Sequence, residues 1–274
     1  MTWPFLSCIR SFVCALAALL TACGSPKVQP VPRLAVSIAI VADVSTSAGL
    51  THGQTIADLR CSEVAALINE ALTTKGLSRL DVLILATGGK ETSLEARSLI
   101  PWRSFVPQAR LFGRNRSPLE QRRAFLQGLE TTCRGTLKSE TTSPIFFAIE
   151  RAAESLRQHA KEERLSGTVV KRLVVLSDLR ENSHQALKAR LLAVSNALRK
   201  GVPVPKQGAT VPSLNLDGIS LSVCGLAQHV GGNADDLAIT PRAVTDVWQG
   251  VFQGAASFDA ACPEEPTYLS GGAP

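Results

Sequence analysis

The chain lacks most of the short signatures that carry familiar chemistry. Its seven cysteines include no Cys-x-x-Cys spacing, so a thioredoxin-like redox motif or a cysteine-based zinc site has no support. Its four histidines, His52, His159, His184 and His229, are scattered and outline no imidazole-rich metal site. No Gly-x-Ser-x-Gly elbow surrounds Ser45, which speaks against a serine hydrolase built on it. There is no internal repeat, no second composition regime and no nucleic-acid recognition motif, so nucleic acid is not an expected partner.

What is present begins with an apolar run, Leu34 to Ala42, that ends in Asp43-Val44-Ser45-Thr46-Ser47. A carboxylate followed by hydroxyls two and four residues on puts three oxygens where a buried strand emerges. Hard cations such as Mg²⁺ take oxygen sets of this kind and complete them with water or a partner's carboxylate. The carboxyl end of a strand is also where ligands bind in open α/β sheets. The plainer role is that Asp43 or Ser45 caps a following helix. A second apolar run, Leu173-Val174-Val175-Leu176, likewise leads to an acid, Asp178. Between the two, Ser143-Pro144-Ile145-Phe146-Phe147-Ala148-Ile149 opens a helical pattern reaching about His159.

These three segments together resemble the von Willebrand factor A domain, a family that binds a divalent ion at a metal-ion-dependent adhesion site. The resemblance covers about residues 33 to 256. It implies metal ligation by Asp43, Ser45, Ser47, Ser143 and Asp178, with Mg²⁺, Mn²⁺ or Ca²⁺ as the ion. Ser143 stands where the family usually has threonine, and the register leaves Thr142 or Thr141 open as the ligand instead. After Asp178 the chain reads Leu-Arg-Glu-Asn where the family often has a glycine-containing turn, so the rim of the site is expected to differ.

The N-terminus sets an expected compartment. Residues 1–22 hold one charge, Arg10, and an apolar core, Ser11 to Leu20, too short to read as a spanning helix. They read as a signal peptide. Leu20-Thr21-Ala22-Cys23 resembles a bacterial lipobox in which Cys23 is acylated, giving a protein tethered by residues 23–32 to the cell envelope. Gly24 after the cysteine favours the outer membrane, at its periplasmic face or the cell surface, if the source is Gram-negative. Cys61, Cys133, Cys224 and Cys262 then remain in an oxidising space. Three pairings are possible. The expected one is Cys61–Cys133 with Cys224–Cys262, against the alternative of four free thiols.

About 250 mature residues suit one α/β domain, here 33–262, with a frayed tail over 263–274. Strand-like runs at Leu34–Ala42, Leu80–Thr87, Val169–Ser177 and Ile219–Cys224 alternate with helical patterns at Thr55–Thr73, Pro118–Thr132, Pro144–His159, His184–Lys200 and Pro241–Gly254. This alternation predicts a doubly wound, mostly parallel sheet flanked by helices, of von Willebrand A or Rossmann-like type. Thr92–Leu99 is a candidate antiparallel edge strand, and Lys200–Leu216, with three prolines, reads as a loop.

The formal charge is +6, and basic residues accumulate at Arg97, Arg103, Arg110, Arg114, Arg116, Arg122 and Arg123 against Glu120 alone. With Trp102, Phe105 and Phe112 interleaved, such a segment can meet a polyanion or an anionic membrane face. The plainer expectation is a solvated loop with its aromatics tucked into the core.

By the resemblance, function is expected to be that of a binding module. Its metal would engage a protein partner through an acidic residue, and its lipid anchor would engage the membrane, without catalysis. The alternatives are a metal-dependent hydrolase or phosphatase with Asp43 as nucleophile, in which Asp235-Asp236 would have to be recruited, and a structural envelope protein with a vestigial site.

Overall fold

A computed structural model describes residues 34–44, 56–87, 97–107, 117–136, 144–162, 168–180, 183–204, 211–225 and 238–252. All of them belong to one compact unit, Arg33–Pro274. Five strands lie among them: β1 (Leu34–Asp43), β2 (Leu77–Thr87), β3 (Arg97–Phe105), β4 (Thr168–Leu176) and β5 (Ser220–Cys224). The helices among them are α1 (Ile56–Leu72), α2 (Pro118–Thr136), α3 (Ile145–Glu162), α4 (Gln185–Lys200) and α5 (Pro241–Val251). The strands form one sheet in the order β3-β2-β1-β4-β5. β1, β2, β4 and β5 run parallel, and β3 joins β2 antiparallel at the edge. This is the doubly wound α/β architecture that the sequence predicted.

β1 occupies the centre because its side chains are apolar in both directions. From Ala35 onward it is wholly buried. Strand periodicity sends Ala39 and Val41 to one face, under α3, α4 and α5, and Val36, Ile38 and Ile40 to the other, under α1 and α2. Parallel strands covered on both faces need such runs, and Val and Ile suit the pleat. The chain winds outward from β1 to β2 and β3, then returns to β4 on the opposite side of β1. The strand order therefore reverses between β1 and β4. Ligands of open α/β sheets bind at that switch point, beyond the carboxyl ends of the strands.

The edge strand departs from expectation. Among the described residues it spans Arg97–Phe105, reaching well beyond Leu99, so Arg97 and Arg103 lie in a strand and Arg122 and Arg123 in α2, while Arg110, Arg114 and Arg116 lie outside the described residues. Pro101 and the interspersed arginines disguise it. A proline is tolerated because an edge strand has one unpaired side, and the β2–β3 register shifts beside it, between Val82 and Ile84. Two of the three interleaved aromatics pack inward: Phe105 is buried and tilts against Phe125 of α2, and Trp102 stacks on His159 of α3 with ring centroids 3.9 Å apart; Phe112 lies outside the described residues. Under that stack sits a buried polar knot. Asp81 is fully buried and receives Arg79 Nε at 2.8 Å and the Ser104 hydroxyl, while His159 Nε2 lies 3.0 Å from its Oδ2. Ser37, its neighbour on β1, is fully buried, and its Oγ has no hydrogen-bond partner among the described residues.

Local signals fix the helix ends. Ser117 and Glu120 make a reciprocal capping box at the start of α2, with Pro118 as its first residue. His184 caps α4, whose C-terminal Gly201 takes φ 64° and returns its N–H to the last turn. Thr240 caps α5. Along α2 only Leu129 and Cys133 are buried, and the Cys61–Cys133 disulfide, with Cα atoms 5.7 Å apart, ties that helix to α1. This is the first expected pairing. Cys224 is also disulfide-bonded; Cys262, its expected partner, lies outside the described residues. So do the leader and Cys23, Asp235-Asp236 and the tail. Among the described residues no helix is long and apolar enough to cross a membrane.

Candidate metal centre

The β1–β4 switch point carries two acids. Ala42 lies opposite Leu176 in the parallel register, so Asp43 ends β1 where Ser177 and Asp178 follow β4. Both acids are buried, Asp43 at 3% exposure and Asp178 at 5%. A buried charge persists only with partners, and Asp43 has them on both flanks. Thr87 Oγ1, at the end of β2, donates to Asp43 Oδ1 at 2.8 Å, and Ser177 Oγ donates to Oδ2 at 2.7 Å. One carboxylate thus laces together the ends of the three central strands. Its main chain is held as well: Arg60 of α1, 1% exposed, donates from Nε to the Asp43 carbonyl at 3.0 Å and from Nη1 to Glu63 at 2.7 Å.

Asp178 sits in an unusual turn. Leu179, fully buried, has φ 58°, the one positive φ outside glycine among the described residues. Leucine rarely enters this left-handed region, where its Cβ crowds the following carbonyl. Here the conformation is held from three sides. Leu179 N donates to Ser177 Oγ at 2.9 Å, Arg180 N donates to Asp178 Oδ1 at 3.0 Å, and Trp248 Nε1 of α5 donates to the Leu179 carbonyl at 2.8 Å. The turn thus holds, without glycine, the left-handed backbone that glycine adopts most readily. Arg180 is folded back so that its Nε lies 3.6 Å from Asp178 Oδ2, with both side chains 5% exposed.

Of the expected ligands, Asp43 and Asp178 are brought to neighbouring strand ends. Ser45, Ser47, Ser143 and the alternatives Thr142 and Thr141 lie outside the described residues. α3 starts at Ile145, directly after Ser143-Pro144, and its first turn abuts the start of α4, where Phe146 and Phe147 meet His184 at ring-centroid distances of 5.0 and 5.7 Å. Among the described residues no group of three or more His, Cys, Asp or Glu is assembled. The local donors are thus two carboxylates and the hydroxyls of Thr87 and Ser177. Such an all-oxygen set fits hard dications and gives no reason to expect zinc or copper. The two hydroxyls orient the Asp43 carboxylate from either side.

Sequence reasoning missed four contributors. Thr87 and Ser177 were visible only as the last residues of apolar runs, and polar residues at strand ends are common. Arg60 sits 17 residues from the carbonyl it binds. Arg180 stood in the tetrapeptide read only as a departure at the rim.

No protein-family model matches the chain. No curated protein matches it either. Its structure is similar to several solved ones. Manganese-loaded TRAP protein from Plasmodium vivax is 18% identical with a TM-score of 0.36; the match covers 74% of this chain and 61% of that one. An aerotolerance-related membrane protein from Bacteroides fragilis is 13% identical with a TM-score of 0.37, over 85% of this chain and 93% of that one. Proximal thread matrix protein 1 of the mussel byssus, with a zinc-occupied MIDAS motif, is 13% identical with a TM-score of 0.32, over 81% of this chain and 45% of that one. In its strand order and its antiparallel edge, the chain is a doubly wound, mostly parallel α/β domain.

Proposed function

We propose that this protein is a non-catalytic binding module that holds a divalent cation at the β1–β4 switch point and engages a protein partner through a partner carboxylate. The observation that carries the reading is Asp43. It is a buried acid at the end of the central strand, braced by Thr87 and Ser177 and placed next to Asp178. Asp43 and Asp178 would hold Mg²⁺, Mn²⁺ or Ca²⁺, with Ser45, Ser47 and Ser143 as further oxygen ligands. Hard cations of this kind retain open or water-filled positions that a carboxylate can enter. Lipidation at Cys23 would place the domain at the cell envelope; an intact mass without lipid, or a mature N-terminus elsewhere, would remove that part.

A phosphatase that uses Asp43 as nucleophile is disfavoured by the same geometry. Both carboxylate oxygens accept hydroxyl hydrogen bonds and the residue is 3% exposed, whereas an attacking carboxylate must reach phosphorus. The test is capture of partners from detergent-solubilised envelope with Mg²⁺, with chelator, and with an Asp43→Ala variant. Partners retained only with metal and only by the unaltered chain support the reading. Partners that survive both chelator and the substitution overturn it.

A further inference from the structure

We infer that Arg180 is a built-in counter-ion of the metal crevice, one that holds Asp178 when no cation is bound and competes with the cation for it. This rests on the metal reading above and adds a regulatory element to that site. The left-handed turn at Leu179 brings the backbone N–H and the guanidinium of Arg180 to one carboxylate: the N–H reaches Oδ1 at 3.0 Å and the guanidinium Nε lies 3.6 Å from Oδ2. The arrangement is built rather than incidental. Ser177 Oγ and Trp248 Nε1 clamp the two ends of Leu179, and Asp178 and Arg180 are each 5% exposed.

Arginine keeps its charge in proteins. A dication that uses Asp178 must therefore share the carboxylate with a buried guanidinium or displace it. At an effective dielectric constant of about 20, a unit positive charge and a dication that share one carboxylate would repel by more than a tenfold change in affinity represents. Metal alone thus binds weakly. An acidic partner, which adds negative charge beside both cations, binds together with the metal rather than after it.

Calorimetric titration of Mn²⁺ into the purified full chain, the Arg180→Gln variant and the Arg180→Lys variant tests this. Arg180→Gln is expected to bind Mn²⁺ about tenfold tighter or more, while Arg180→Lys, which keeps the charge, stays within about threefold of the unaltered protein. Without metal, Arg180→Gln should melt earlier, because Asp178 loses its counter-ion, and saturating Mn²⁺ should restore it. If the unaltered protein binds Mn²⁺ and Arg180→Gln binds no tighter, the role of Arg180 is refuted while the metal site stands. If no form binds although all are folded by circular dichroism, the metal reading falls and this inference with it. Should Arg180→Gln fail to fold, the unaltered chain decides. Its Arg180 Nε–H resonance should shift as Mg²⁺ is added, and a resonance that stays fixed while metal binds overturns the proposal.

Discussion

Leu179 gives an inverted ranking of two ordinary substitutions. At most positions alanine is better tolerated than glycine by about 0.5–1 kcal/mol, because glycine has more backbone freedom to lose. At Leu179 the order should reverse. Both substitutions empty a fully buried site and should cost about 3–5 kcal/mol, the range of leucine truncations in packed cores. Alanine retains a Cβ at φ 58° and keeps the left-handed strain, about 1–2 kcal/mol. Glycine removes that strain. Leu179→Gly should therefore be more stable than Leu179→Ala by up to about 1 kcal/mol, with both well below the unaltered protein. At about 2–4 °C per kcal/mol for a domain of this size, either variant should lose roughly 6 °C or more in melting temperature. Urea unfolding without metal measures the pair. If Leu179→Ala equals or exceeds Leu179→Gly, the turn is not left-handed as described. If both match the unaltered chain, Leu179 is not packed as described.

Further consequences follow from the braces around the site. Replacing Cys61 and Cys133 together by serine opens a loop with a sequence separation of 72 and should cost up to about 4 kcal/mol in the chain-entropy estimate; an unchanged urea midpoint would contradict a stabilising crosslink. Thr87→Val and Ser177→Ala should each cost about 1–3 kcal/mol, since each leaves the buried Asp43 carboxylate short of a donor. In a double-mutant cycle the two should be non-additive, because they brace one group; strict additivity would show that they act separately.

The parts of the fold legible in sequence were those where one physical demand dominates. β1 and β4 need apolar side chains on both faces, so Leu34–Ala42 and Leu173–Leu176 announced themselves, and with them the acids at their ends. The disulfide between Cys61 and Cys133 was one of the two expected pairings. β3 was misplaced because Pro101 and its arginines suit an edge strand and a loop equally well. What braces the site stayed hidden because it is non-local or conformational. His159 and Asp81 are 78 residues apart, and Ser177 and Asp43 are 134 apart. A leucine forced to positive φ leaves no mark on the sequence at all. It becomes visible only once Trp248 and Ser177 are seen holding it.

The central claim, a dication at the ends of β1 and β4, is tested most directly by paramagnetic broadening of backbone amide resonances on titration with Mn²⁺. The method locates even weak binding. The amides of Asp43, Val44, Asp178, Leu179 and Arg180 should broaden first. Those around the Asp81–His159 pair, nearer the amino-terminal ends of the parallel strands, should persist, and Asp43→Asn should abolish the early broadening. Broadening spread over exposed acids, or the same broadening in Asp43→Asn, would contradict the account.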